Sequence, residues 1–176
     1  GTYLHQAGPV QLTDTLWLVG VDGWADGRMG RPRESDLIFT DWHLIDDFRR
    51  VDAIRNVEAR LLMMRKFADD SAARLRQQLQ ECDAPLKILV VTHVPPFDRA
   101  AGHDGSNFAD LWVPYLACQA TGEVLLEFAA RNPHIEIEVL CGHTHVARRT
   151  HPTKNIVCRT GHAEYRSPCV QDTWNI

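Results

Sequence analysis

The segment Lys87-Ile88-Leu89-Val90-Val91 is an unbroken aliphatic run that stops at Thr92-His93-Val94-Pro95-Pro96. A half-exposed strand would alternate apolar and polar residues, so this run reads as a buried strand covered on both faces, as in a parallel sheet. A second strand is expected from Ile135 to Cys141. Ile135, Ile137 and Val139 alternate with Glu136 and Glu138, giving one dry and one wet face, before the pattern turns fully apolar at Leu140-Cys141. It stops at Gly142-His143-Thr144-His145. Parallel neighbours need helical crossovers, so the expected fold class is α/β, a mixed sheet flanked by helices.

The rest of the chain fits that frame. Val10 and Leu12, then Leu16 to Val19, read as two short strands around Thr13-Asp14-Thr15. Residues 20–33 hold four glycines and three arginines, a loop whose Arg28, Arg31 and Arg33 are either solvated or hold an anionic group. Apolar residues at helical spacing over 43–66 predict a helix with a core-facing stripe. Asp69-Asp70-Ser71 offers N-cap chemistry to a second helix ending near Cys82-Asp83-Ala84-Pro85. A polar loop with His103, Asp104 and Asn107 precedes a helix over 117–130, and a last short strand is expected at 155–159. The tail from Ser167 has no pattern. Neither repeat nor linker interrupts residues 1–176, so one domain is expected.

Composition narrows the partners. Lys and Arg total 19 against 23 Asp and Glu, a formal charge of -4, which gives no basis for a surface that tracks nucleic acid. No run is long and apolar enough to span a membrane, and the first residues lack the charged-then-apolar order of a signal peptide, so the expected location is cytoplasmic. The five cysteines are too widely spaced for a CxxC pair and read as reduced, mostly buried side chains.

The chemistry concentrates in histidine. Two independent strands end in it, His93 on one and His143 with His145 on the other. Strand carboxyl ends are where open α/β sheets bind ligands, and imidazole is the commonest metal ligand. Gly142 is expected to take the tight bend, and Pro95-Pro96 to end the other strand with His93 at its rim. Asp22, at the end of the strand from Leu16, and His162, after Gly161, are further candidates for a catalytic base. Asp41-Trp42-His43 matches DxH as letters, but reads as helix packing by Trp42 with Asp41 as a cap.

The two motifs, THVPP and GHTH about fifty residues later, resemble the last two metal-binding motifs of the calcineurin-like metallophosphoesterases. Val19-Gly20-Val21-Asp22-Gly23-Trp24 and Ile38-Phe39-Thr40-Asp41-Trp42 also resemble segments that follow the central Asn-His motif in some of those enzymes. The resemblance implies half of a four-layer αββα sandwich. It implies hydrolysis of phosphate mono- or diesters by a metal-bridging hydroxide, with Mn, Fe or Zn as the metal. His93 and His143 would bind one ion and His145 the other. The family's DxH, GDxxD and Asn-His motifs, which belong ahead of this segment, do not occur in that order, so the chain resembles the second half of such an enzyme. Two partners are then expected: an N-terminal half, or a second copy of this chain stacked on an exposed sheet face. The alternative is a truncated, inactive family member that forms a homodimer and serves as a binding module. A further reading is a mononuclear zinc hydrolase on His93, His143 and His145, with Asp22 or His162 as base.

Overall fold

Thr13-Asp14-Thr15 turns the chain back on itself, and the Leu16 N–H donates to Thr13 Oγ1 at 3.1 Å. Strand β1 (Val10–Gln11) thereby pairs antiparallel with β2 (Leu16–Gly20). The computed structural model describes residues 1–173. Its further elements are α1 (Leu4–Ala7) before the hairpin and, after it, α2 (Asp41–Leu44), α3 (Asp46–Arg50), α4 (Val57–Glu81), β3 (Lys87–Val91), α5 (Asp98–Ala101), α6 (Asn107–Leu116), α7 (Gln119–Arg131), β4 (Glu136–Cys141), β5 (Arg148–Thr153) and β6 (Ile156–Thr160). The six strands form one mixed sheet in the order β1-β2-β3-β4-β6-β5. β2, β3, β4 and β6 are parallel, and an antiparallel strand lies at each edge. No described helix is long and apolar enough to cross a membrane.

The parallel register brings Val19, Val90 and Val139 side by side, with Ile88 beside Ile137 and Ile137 beside Ile156. All these side chains are buried. Two helices supply the cover. Leu61, Met64, Ala68, Ala72, Leu75 and Leu79 form the buried stripe of α4, and Val124, Leu125 and Ala129 that of α7. Apolar area removed from water at about 25 cal/mol per Å² is the main favourable term for this layer.

The alternate residues point the other way, and no described helix covers them. Val91 is 37% exposed, and Leu89, Leu140 and Val157 are only half-buried. The strand expected to be covered on both faces is therefore covered on one by this chain. Glu138, expected on the wet face, is nearly buried there instead. Its carboxylate pairs with Lys87 at 2.9 Å and Arg159 at 2.6 Å. Burial raises the Glu138 pKa, but these two cations outweigh it and hold the group below its ordinary range.

Several local expectations are corrected. Residues 43–66 do not form one helix: the backbone is extended at Ile45 (φ -84, ψ 123), and Asn56 caps a new helix by accepting from the Ala59 N–H at 3.0 Å. That helix, α4, runs straight through Asp69-Asp70-Ser71, where a cap was expected. Asp69 instead receives a bidentate contact from Arg28 at 2.7 and 2.8 Å, and Ser71 is buried in the stripe. Arg31 pairs with Glu34 at 2.7 Å and Arg33 with Glu58 at 2.6 Å. All three loop arginines are thus committed to carboxylates, which removes the anion-holding role. The cysteines are free, with Cys118, Cys141 and Cys158 buried. The tail has neither helix nor strand as far as residue 173, and its last residues, 174–176, lie outside the described residues.

One buried polar side chain locks the first parallel strand to α4. Gln78 is fully buried, accepts from the Gly20 N–H at 2.9 Å, and donates to the Gly20 and Leu4 carbonyls at 3.0 and 2.9 Å. Leucine in its place orphans these backbone groups. Gln78→Leu is expected to lower stability by about 2 kcal/mol, since an unsatisfied buried group costs about 1–3 kcal/mol. A urea titration with unchanged midpoint would refute this.

Candidate functional site

The ladder continues past the strand ends and sets the rim. The His93 N–H donates to the Asp22 carbonyl at 3.0 Å, the Gly142 N–H to the His93 carbonyl at 2.9 Å, and the Gly161 N–H to the Cys141 carbonyl at 2.8 Å. Three adjacent parallel strands therefore present Asp22, His93 and Gly142-His143 at one edge of the sheet. The Cys118 N–H donates to the Pro95 carbonyl at 2.9 Å, which ties the turn after His93 to the start of α7.

The expected bend at Gly142 falls elsewhere. A Cβ on Gly142 would meet nothing nearer than the His93 carbonyl oxygen at 3.9 Å. His143 (φ 68) and His145 (φ 59) are the residues in the left-handed region. Side chains in this conformation cost roughly 1–2 kcal/mol each, and such strain clusters at functional sites.

The bend brings two rings into contact. His143 Nδ1 lies 3.1 Å from His93 Nε2, and His143 Nε2 lies 2.9 Å from the Tyr115 carbonyl oxygen. A carbonyl only accepts, so His143 Nε2 carries the proton, and its Nδ1 lone pair accepts from the His93 Nε2–H. An outer hydrogen bond of this kind fixes the tautomer and ring orientation of metal-ligating histidines. The 3.1 Å separation is close to that of two nitrogens each about 2.0–2.1 Å from one zinc-sized centre. Burial is the main cause lowering both pKa values. The charge of His143 lowers that of His93 further, while Asp41 opposes the shift at both rings. These shifts favour the neutral form of both imidazoles, the form that ligates a metal.

Asp41, read from the sequence as a helix cap, lies near the pair. Trp42 is buried, as a packing role requires. Asp41, however, is the first residue of α2, with Thr40 at the N-cap, and its side chain shares a cavity of about 80 Å³ with His93 and His143. Behind it, the buried Arg60 stacks on Trp42 at 4.2 Å and donates to the Tyr115 hydroxyl at 3.2 Å. Tyr115 in turn donates to the Pro32 carbonyl at 3.0 Å. This network holds in place the residue whose carbonyl orients His143. The DxH letters were the available signal for Asp41, whereas a backbone carbonyl leaves none in a sequence.

The other candidates stand apart from the pair. The His145 ring packs edge-on against Tyr165, 4.9 Å between centroids. His162 Nδ1 lies 3.0 Å from the His145 carbonyl oxygen, and its Nε2 lies 3.3 Å from Glu164. The exposed Asp22 carboxylate accepts from the Tyr3 hydroxyl and lies 3.7 Å from His5. His103 is held by Asp110 at 2.8 Å, away from the rim. Among the described residues, no three His, Cys, Asp or Glu side chains stand close enough to enclose an ion by themselves. No family model matches this sequence, and no curated protein matches it.

Proposed function

We propose that this chain forms part of a metal-dependent phosphoesterase of the calcineurin-like type, one that hydrolyses phosphate mono- or diesters. The observation that carries the reading is the His93–His143 pair: two neutral imidazoles from different parallel strands, 3.1 Å apart, one of them fixed by a backbone carbonyl. The donor set suits Mn, Fe or Zn, which imidazole binds readily. When bound, such an ion neutralises phosphoryl oxygens and activates water. His93 Nε2, with its proton moved to Nδ1, and His143 Nδ1 would hold the ion, and the Tyr115 carbonyl keeps the proton of His143 on Nε2. Asp41, on the wall of the same cavity, would add negative charge near the ion without standing as a third ligand. His145, one residue from Thr144, is the donor available to a second ion.

The open sheet face fits the same proposal. A second sheet packed on Leu89, Val91, Leu140 and Val157 would give the four-layer αββα sandwich and bring further carboxylates to the rim. An N-terminal half, in the same polypeptide or another, is the natural source. The same face also favours a second reading, a homodimer stacked sheet on sheet that acts as a binding module.

The deciding experiment combines three readings on the purified chain: retained metal after loading with Mn²⁺ or Zn²⁺ and desalting, turnover of bis(4-nitrophenyl) phosphate and 4-nitrophenyl phosphate, and mass by sedimentation. About one retained ion per chain is the expected result, with turnover that disappears on chelation once the N-terminal half is supplied. A stable dimer with neither retained metal nor turnover establishes the binding-module reading instead.

A further inference from the structure

A second and larger cavity, of about 330 Å³, opens between the histidine loop, α5 and α6. Its size falls within the roughly 300–1,000 Å³ of small-molecule sites. One wall is aromatic. Phe108 is 70% exposed, and its ring is tilted against Trp112 at 5.9 Å between centroids. An aromatic pair left facing water at the mouth of a concavity is a stacking surface without an occupant.

The opposite wall is polar and cationic. The Arg148 guanidinium lies against Gly102, where a Cβ would come within 2.9 Å of Nη2 and 3.0 Å of Nε. The acidic residues around the cavity are otherwise occupied. Asp98 and Asp110 face His103, Asp110 also faces Arg31, and Asp104 accepts from the Ser106 N–H at 2.8 Å. No carboxylate among the described residues pairs with Arg148. An unpaired guanidinium on the wall of a cavity is a group that an anionic ligand would satisfy.

We propose that this cavity binds a flat aromatic ligand bearing a negative charge, with its ring against Phe108 and Trp112 and its anion on Arg148. Thr144, also in the lining, stands between His143 and His145, so a bound ligand lies next to the candidate metal centre. Resting on the phosphoesterase reading, the inference makes the substrate a phosphoester whose part remote from phosphorus is an anionic aryl group.

Calorimetry on the full chain without added metal tests this with three probes: 2-naphthoate, neutral 2-naphthamide, and cyclohexanecarboxylate, which has the charge but no flat ring. 2-Naphthoate is expected to bind about tenfold more tightly than either of the others, as a charge-assisted contact and a stacked ring require. Arg148→Gln erases its advantage over the amide, and Phe108→Ala its advantage over the alicyclic acid. Both side chains are exposed, so the fold tolerates either change. Equal affinity for the three probes, or preferences that survive both substitutions, overturns the proposal. Preferences that appear as expected in a chain that retains no metal after loading overturn the phosphoesterase reading and leave an aryl-anion site standing.

Discussion

His143→Ala is expected to weaken Zn²⁺ binding by well over the roughly 10–100-fold that loss of an outer hydrogen-bond partner costs at a metal site. The substitution removes a ligand whose geometry is already prepared. His143 reaches its position through a left-handed backbone (φ 68) and a hydrogen bond from Nε2 to Tyr115, so its Nδ1 lone pair faces His93 before any ion arrives. Pre-organisation of this kind lowers the entropy that binding must overcome. His145→Ala, at a ring packed on Tyr165 and apart from the pair, is expected to cost far less at the first ion. Competition with a chromophoric chelator measures both variants. Equal losses for His143→Ala and His145→Ala would show that the ion sits elsewhere on the loop.

The largest stability change is expected from a methyl group. Gly122 lies in α7, and a Cβ there would come 2.1 Å from the Pro96 carbonyl oxygen. The obstacle is backbone, held in place by the Cys118 N–H on the Pro95 carbonyl, so no side chain can swing aside. Alanine gains about 1 kcal/mol over glycine in a helix interior. Overpacking against a fixed backbone outweighs this, and Gly122→Ala is expected to destabilise by about 3 kcal/mol net. The Pro95-Pro96 turn follows His93 directly, so the same change shifts that ring and weakens metal binding as well. Chemical denaturation beside metal titration checks the pair of effects. A stable Gly122→Ala variant with unaltered metal affinity would mean that the helix and the turn are not in such close contact.

The central sheet is readable because 87–91 is an aliphatic run and 136–141 alternates apolar residues with Glu136 and Glu138, each followed two residues later by a histidine. The elements that escaped notice are those whose sequence argues against them. β5 reads Arg-Arg-Thr-His-Pro-Thr, which suits an edge strand, where charge and proline are tolerated, but carries no apolar alternation. α6 contains Pro114, a residue that normally marks a boundary. The segment 43–56 has helical periodicity yet breaks at Ile45 and again before Asn56. Its apolar residues pack individually against the core and do not form one stripe. At the site, His93 and His143 were legible as strand-end histidines. Asp41 was dismissed because its position in the motif order spoke against it, and only the tertiary placement of α2 brings it to the same cavity.

The sheet order also fixes when in folding the histidine pair can form. β2, β3 and β4 are parallel neighbours, and each pairing waits on a long crossover, through α4 in one case and through α5, α6 and α7 in the other. Contacts of such high sequence separation close late, and chains dominated by them fold on slower timescales than helical bundles. His93 and His143 sit on the last residues of two such crossings. Their contact is therefore a marker of the completed sheet: an amide at Gly142, bonded to the His93 carbonyl, should exchange with solvent through the same global opening that exposes the strands themselves.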